Sequence, residues 1–118
     1  MVGCGNPLYV EFGMEIFKRT REGQTLYILS DSDSEDVGRV AISVFSDVIR
    51  VHTLFVKPEY RDKGYGKALI EAVLRDYPEK RISLCTGLGN IEFFERLNFK
   101  VCEEAPSDSL FEMTREPL

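Results

Sequence analysis

The stretch Val56-Lys-Pro-Glu-Tyr-Arg-Asp-Lys-Gly-Tyr-Gly-Lys67 carries the strongest structural signal in this chain. It follows a run of β-forming residues and leads into residues 66–77, where apolar side chains such as Leu69 and Val73 recur on one helical face. Pro78 ends that pattern because proline cannot continue a hydrogen-bonded helix. The stretch therefore predicts a strand, a glycine-containing loop and a helix in direct succession.

This loop has the properties of an anion site. Gly64 and Gly66 let the backbone turn and approach a ligand closely. The first N–H groups of a helix have no internal partner and lie at the positive end of its dipole. From Arg50 to Lys67 there are five Lys or Arg against two acids, a local charge of +3. The alternative is a glycine-containing turn with solvated basic side chains, and the GxxxxGK[ST] and GxGxxG nucleotide motifs are both absent.

Length and composition predict one compact domain over residues 1–118, with 43% hydrophobic and 30% charged residues. The net charge of −5 argues against nucleic acid as a partner, because little counterion release would drive that binding. An acidic membrane surface would repel the chain as well. No apolar run approaches the roughly 20 residues that span a bilayer. The N-terminus also lacks the basic and apolar regions of a signal peptide. We therefore expect a cytoplasmic protein.

The cysteines predict neither a metal site nor a disulfide framework. Cys4, Cys85 and Cys102 are far apart in sequence, and the single His52 cannot complete a finger-type zinc site with them. Cys85 lies in an apolar-leaning segment and is expected to be a small buried thiol. A catalytic cysteine paired with His52 is the alternative.

The hydrophobic periodicity changes midway along the chain. The first half alternates in the manner of strands and the second half contains the helical patterns. The predicted strands are 8–18, 25–29, 38–45, 48–56, 81–86, 99–103 and 110–114, with helices at 66–77 and 91–97, a turn at 19–23 and an acidic connection at 31–36.

The glycine loop resembles a known family signature. Arg61-Asp-Lys-Gly-Tyr-Gly66 is similar to the R/Q-x-x-G-x-G/A motif of the GNAT superfamily of N-acetyltransferases. Phe93-Phe-Glu-Arg-Leu-Asn-Phe99 is similar to the family's F-Y-E-K-L-G-F segment, and the resemblance covers roughly residues 38–115. It implies an α+β fold with a central mixed, mostly antiparallel sheet of six to seven strands and helices packed on it. It also implies an acyl-CoA cleft between the fourth and fifth strands.

The resemblance implies acetyl-CoA as co-substrate and direct attack by an amine acceptor on the thioester. Phe55 and Val56 would offer main-chain groups to the pantetheine arm. Backbone N–H groups of the loop would hold the pyrophosphate; the residues concerned are Arg61, Asp62, Lys63, Gly64, Tyr65, Gly66 and Lys67.

The second motif departs from the family at one chemically important position. Phe94 stands where the family has a Tyr that protonates the departing thiolate, and phenylalanine has no proton to give. A thiolate is a fairly good leaving group at neutral pH, so this loss need not abolish activity. Gly87 stands where the family often has an Asn that contacts pantetheine, and Asn90 is expected only to cap a helix.

The general base is predicted less directly. Family members often carry a Glu on the fourth strand, and His52 occupies that neighbourhood here. Imidazole changes protonation near neutral pH, which suits a base acting directly or through water. A structural role is the alternative, and Glu11 and Glu15 are further candidates for the base. Strand alternation places His52 on one face with Leu54 and Val56.

The chain lacks the family's acceptor wall. Family members usually insert one or two helices between the first two strands, but only residues 19–24 are available here. The acceptor site should therefore be open, which suits a protein lysine or N-terminus, or be completed by a homodimer, which suits a small amine. The acidic connection at 31–36 would attract a cationic acceptor or simply be solvated. A non-catalytic acyl-CoA-binding domain is the alternative to an enzyme.

Overall fold

The computed structural model describes residues 9–11, 14–32, 36–102 and 110–117. Their strands form one sheet in the order β1-β2-β3-β4-β5-β6-β8-β7, in which only β5 and β6 pair in parallel. The strands are β1 (Tyr9–Glu11), β2 (Met14–Arg21), β3 (Gln24–Ser30), β4 (Gly38–Val44), β5 (Val48–Val56), β6 (Arg81–Thr86), β7 (Lys100–Val101) and β8 (Phe111–Arg115). The helices are α1 (Tyr65–Asp76) and α2 (Ile91–Glu95). The predicted mixed, mostly antiparallel sheet is confirmed.

The N-terminal hairpins differ in detail from the prediction. Residues 8–18 were expected to form one strand, but β1 folds back on β2 with Glu11 opposite Met14, so the sheet has eight strands. The predicted turn at 19–23 is shorter, because Arg21 still pairs with Gln24 in the ladder. Only Glu22 and Gly23 form the turn, with φ of 52° and 82°. Positive φ at both positions is the geometry that joins two twisted strands with two residues.

The core lies between the sheet and α1. Leu69, Ile70 and Val73 on the inner face of α1 are almost completely buried. These side chains cover one side of the sheet. Gly38 of β4 shows how closely they approach it, since a Cβ added there would lie 3.4 Å from the Leu69 side chain. The strand residues of this core include Ile16, Tyr27, Leu29, Val40, Ile42 and Ile49. The predicted helix at 66–77 is thus confirmed within one residue at each end.

On the opposite side of the sheet, the side chains of β2, β4 and β5 are not buried, so no second core forms there. Strand register places alternate residues of β2 to β5 together on it, and we call this surface the open face. It contains Glu15, Phe17, Arg19 and Arg21 of β2, Leu26 and Ile28 of β3, Arg39, Ala41 and Ser43 of β4, and Arg50, His52, Thr53 and Phe55 of β5. Each of these side chains is partly or fully exposed.

Candidate active site

A cleft opens where β5 and β6 part. The two strands pair only from Val48 to Arg50, opposite Arg81 to Ser83. Beyond this point they diverge and enclose a cavity of about 870 Å³. The cleft predicted between the fourth and fifth strands is therefore present. These strands are numbered β5 and β6 here because the predicted first strand is two strands, β1 and β2.

A β-bulge at His52 shapes the wall of this cleft. Ala41 pairs with Thr53 while Ile42 pairs with Val51, so His52 is an extra residue in β5. The bulge reverses the alternation of side chains, because Val51 before it and Leu54 after it both face the helix side. The expectation that His52 shares a face with Leu54 and Val56 is wrong for this reason.

His52 instead lies on the open face beside Ser43. Its Nε2 is 2.6 Å from the Ser43 hydroxyl oxygen, and the imidazole is exposed and lines the cleft. A hydroxyl partner fixes the orientation of the ring. An oriented imidazole at the edge of a cleft has the position and the chemistry of a general base.

The glycine loop closes the other end of the cleft. Gly64 precedes α1 with φ 82° and Asp62 has φ 65°, and left-handed residues turn successive N–H groups of a loop towards one concave side. A Cβ added to Gly64 would meet no atom within 4 Å, so space for a ligand exists there. The first intrahelical bond runs from the Ala68 N–H to the Gly64 carbonyl, which leaves the N–H groups before Ala68 without helical acceptors.

Gly66 has a different role from Gly64. A Cβ at this position would lie 3.3 Å from the Phe93 ring, so the absence of a side chain lets the first turn of α1 pack against the aromatic residues of α2. The two motifs that carry the family resemblance are therefore in direct contact.

The structure brings together nearly all the residues singled out in the sequence. Those that line the cleft are His52, Phe55, Val56, Arg61, Asp62, Gly64, Tyr65, Gly66, Lys67 and Phe94. Lys63 does not line it, because its ammonium group lies 5.4 Å from the centre of the Tyr60 ring. Tyr60, which does line the cleft, holds Lys63 to one side through this cation–π contact.

The end of β5 presents one main-chain edge to the cleft. The Phe55 carbonyl faces β4, since it lies 3.0 Å from the Cβ position of Gly38. The Val56 carbonyl faces the other way and accepts a hydrogen bond of 2.9 Å from Arg61 Nε. Of the two predicted main-chain contacts, only Val56 is therefore directed into the cleft. Phe55 contributes its ring, and the guanidinium carbon of Arg61 lies 5.9 Å from the ring centre.

Phe94 forms an apolar wall near the bottom of the cleft. Only 6% of the residue is exposed, and its ring packs edge-on against Phe93 and Phe99. Asn90 lies at the start of α2 as expected for a cap, but its side chain makes no capping hydrogen bond and instead lines the cleft.

Sequence reasoning missed the contribution of β6. Cys85 lines the cleft and is only partly buried, so the expectation of a core thiol is wrong. β6 has left β5 by this residue, and the space between them exposes the thiol. Arg50 Nη2 lies 3.0 Å from its sulfur, and Arg50 Nη1 donates to Ser83 Oγ at 3.1 Å. The signal that could have identified Cys85 is its position just beyond the paired part of two parallel strands, where ligand clefts form.

Part of the acidic connection is engaged with structured neighbours. The Tyr65 hydroxyl donates to Asp31 at 2.8 Å, and Arg39 lies 3.8 Å from Asp36. Residues 33–35 lie outside the described part of the chain. Glu15 does not line the cleft, since β2 is three strands away from β5. Glu11, the other carboxylate candidate for the base, has a side chain that is not among those the structure describes.

The described residues contain neither a metal-binding cluster nor a membrane-spanning helix. Within them, no three His, Cys, Asp or Glu side chains are grouped so that they could hold a metal ion. Neither helix in that part of the chain combines the length and apolar character needed to cross a bilayer. Cys85 and Cys102 are free thiols, and Cys4 is not among the residues that the structure describes.

Comparison with known proteins assigns the family. A family model described as an acetyltransferase (GNAT) domain matches residues 22–101, which include the glycine loop, both cleft strands and both helices. This chain belongs to the GNAT acetyltransferase family. An uncharacterised N-acetyltransferase of Methanocaldococcus jannaschii is 38% identical over 61 residues, which is 46% of this chain. The match spans only 26% of that relative's length.

Solved GNAT structures share the fold at low sequence identity. A GNAT family acetyltransferase from Elizabethkingia anophelis, crystallised with acetyl-CoA bound, superposes with a TM-score of 0.74 at 12% identity. The match covers 90% of this chain and 99% of that one. The ribosomal-protein-S18-alanine N-acetyltransferase from Escherichia coli superposes with a TM-score of 0.68 at 17% identity, covering 81% and 70% of the two chains.

Proposed function

We propose that this GNAT chain is an acetyl-CoA-dependent N-acetyltransferase in which an amine attacks the thioester directly. The observation that carries the proposal is the cleft between β5 and β6, with an anion-binding loop at one end and an oriented imidazole on its wall. These groups match the two requirements of the reaction, namely a site for the coenzyme phosphates and a route for the amine proton.

The loop before α1 fits the phosphates of acetyl-CoA. The Arg61 N–H already donates to the Pro58 carbonyl at 3.3 Å, so the N–H groups from Asp62 to Lys67 would hold the pyrophosphate, and the open space beside Gly64 allows its close approach. Lys67 lines the cleft and adds positive charge there. The Val56 main chain would position the pantetheine arm, because it is directed into the cleft at the end of β5. The bound thioester supplies the acetyl group.

His52 is proposed as the base that takes the amine proton. Ser43 holds its Nε2, so the ring has one preferred orientation, and its exposure allows proton transfer directly or through a water molecule. Phe94 supplies no proton to the departing thiolate. We infer that the thiolate leaves unassisted or takes its proton from water, which is feasible for a group of its basicity.

A non-catalytic acyl-CoA-binding domain is the second candidate. Its support is Phe94, which places an apolar ring where the family acid would stand.

The acceptor of the enzyme is proposed from the open face. This face leaves room for a large acceptor such as a protein lysine or N-terminus, and a homodimer would instead enclose a small amine.

Two measurements test these functions. Calorimetric titration with coenzyme A tests the claim shared by both, and no binding at millimolar ligand would remove both. Mass spectrometry with acetyl-CoA and pooled small amines, polyamines and lysine peptides separates them. Steady acetylation supports the enzyme, whereas coenzyme binding without any acetylation supports the binding domain.

A further inference from the structure

The open face has a composition unlike the rest of this acidic chain. On strands β2 to β5 it carries four arginines but only one carboxylate, although the chain as a whole has a net charge of −5. The arginines are Arg19, Arg21, Arg39 and Arg50, and the carboxylate is Glu15. A local field of this sign attracts negative groups over about one Debye length, roughly 8–10 Å.

Apolar side chains alternate with these arginines. One row of paired residues across the strands consists of Phe17, Ile28, Arg39 and Phe55. The next row contains Leu26 and Ala41. The side chains are partly exposed, and 38% of Phe55 is accessible. A surface of this kind favours a partner that combines carboxylates with apolar side chains.

Among the described residues, two of these arginines, Arg21 and Arg50, form no ion pair with a carboxylate. Arg50 is held by the neutral side chains of Ser83 and Cys85, beside the cleft. Arg21 is exposed at the end of the β2–β3 hairpin. There a second cavity of about 520 Å³ is lined by Arg19, Arg21, Leu26 and Ala41, together with Glu22, Gln24 and Thr25. Arg39 is 3.8 Å from Asp36, and both side chains of that pair are nearly half exposed.

The open face is continuous with the cleft. His52, Thr53 and Phe55 lie on the open face by register and also line the cleft wall. A chain lying across the open face can therefore place an amine beside His52 while its neighbouring residues contact the arginines of β2 to β5.

We propose that the open face docks an acidic segment of a peptide or protein acceptor, and this inference rests on the proposed acetyltransferase function. A long nucleic acid is disfavoured because the remaining surface of the chain is acidic, whereas a short segment engages only the local positive field. A second copy is disfavoured because a symmetric contact would bring two arginine-rich surfaces together.

Two fluorescein-labelled peptides test the proposal. Each has twelve residues and one central lysine, flanked by Glu and Asp in one peptide and by Gln and Asn in the other. Fluorescence anisotropy with the full chain, at low salt, should show at least tenfold tighter binding of the acidic peptide, and added salt should reduce this preference. Arg21→Gln and Arg50→Gln should each weaken acidic-peptide binding severalfold. Arg75→Gln removes the same charge from exposed α1 and should leave binding unchanged.

Three results would overturn the proposal: equal affinity for the two peptides, equal losses in Arg75→Gln and the open-face variants, or tighter binding of a uridine oligonucleotide than of the acidic peptide. Sedimentation showing a dimer that Arg21→Gln disrupts would assign the face to a second copy and likewise overturn it. Peptide binding is read without turnover, and coenzyme binding is measured separately. Loss of the proposed enzymatic function is therefore distinguishable from loss of this docking surface.

Discussion

Gly64 is the residue on which the proposed coenzyme end of the cleft depends. Its φ of 82° is strained for any residue with a Cβ, and more so for a β-branched one. The space beside it is where a phosphate would approach the backbone. We expect Gly64→Val to weaken coenzyme A binding at least tenfold in calorimetry. Gly64→Asn, which tolerates the left-handed conformation, should lose less affinity.

Gly89 provides the matched control for that change. A Cβ there also meets nothing within 4 Å, but Gly89 does not line the cleft. Gly89→Val should bind coenzyme A like the unmodified chain. Unchanged affinity in Gly64→Val would refute the assignment of the loop.

His52 is the residue whose role is most easily separated by pH. If it accepts the amine proton, His52→Ala should lower kcat near neutral pH by at least about 100-fold, the lower end of the usual contribution of a positioned base. The pH dependence of the remaining rate should also change, and Ser43→Ala should have a smaller effect because it removes only the orienting hydroxyl. A pH–rate profile that keeps its shape in His52→Ala would transfer the role to another group or to solvent.

At the scale of elements, the bulge in β5 controls how the cleft opens. Removing His52 altogether would make Val51 and Thr53 adjacent, which restores a regular ladder opposite Ile42 and Ala41 without turning any other side chain to the wrong face. We expect the deletion variant to fold, as judged by circular dichroism, but to bind coenzyme A at least tenfold more weakly because β5 would lie straighter against β6. His52→Ala retains the bulge and should retain coenzyme affinity. Equal affinity in the deletion variant would show that the bulge does not shape the cleft.

A second element-scale contact holds the C-terminal end of α1 on the sheet. The buried Tyr27 donates a hydrogen bond of 2.6 Å to Asp76, and Lys18 lies 3.4 Å from the same carboxylate. Burial, reinforced by the hydrogen bond and negative charge of Asp76, raises the pKa of Tyr27 well above its usual value of about 10.

This shift predicts alkaline destabilisation. Above pH 10 the unfolded chain loses the Tyr27 proton while the folded chain keeps it, so the free energy of unfolding falls as pH rises, with a limiting slope of about 1.4 kcal/mol per pH unit. Urea unfolding at pH 8 and pH 10.5 should show this loss, and Tyr27→Phe should reduce it. Tyr77→Phe removes a hydroxyl from the same cluster and should keep the original slope. An identical alkaline loss in Tyr27→Phe would contradict the assignment.

At the scale of the whole molecule, the cleft connects the two sides of the sheet. The glycine loop and α1 border it on the covered side, and His52 and Thr53 border it on the open face. Under the proposed function, coenzyme and acceptor would occupy the cleft together, which predicts initial-velocity lines that intersect when both substrates are varied. Intact-protein mass spectrometry with acetyl-CoA alone should show no acetyl group on Cys85. Parallel lines with acetylated Cys85 would show a covalent relay instead.

The elements and the loop followed from local sequence, because their signals are local. The helical period of residues 66–77, the strand at 48–56 and the glycines before α1 each depend on residues close together in the chain. The motif from Arg61 to Gly66 and the segment from Phe93 to Phe99 were sufficient to suggest the family, which the match over residues 22–101 then established.

Tertiary structure decided which of these residues meet and which way they face. The bulge at His52 arises from an unequal count of residues in two paired strands, so no periodicity within β5 reveals it. The early divergence of β5 from β6 exposes Cys85 and brings it to Arg50, 35 positions away. The four arginines of the open face come from three strands and share one surface only through the register of the sheet. Sequence alone determined most of the secondary structure and the position of the glycine loop before α1, because these follow from backbone preference and hydrophobic periodicity. The direction of each cleft side chain depended on pairing between distant strands, which only the folded sheet establishes.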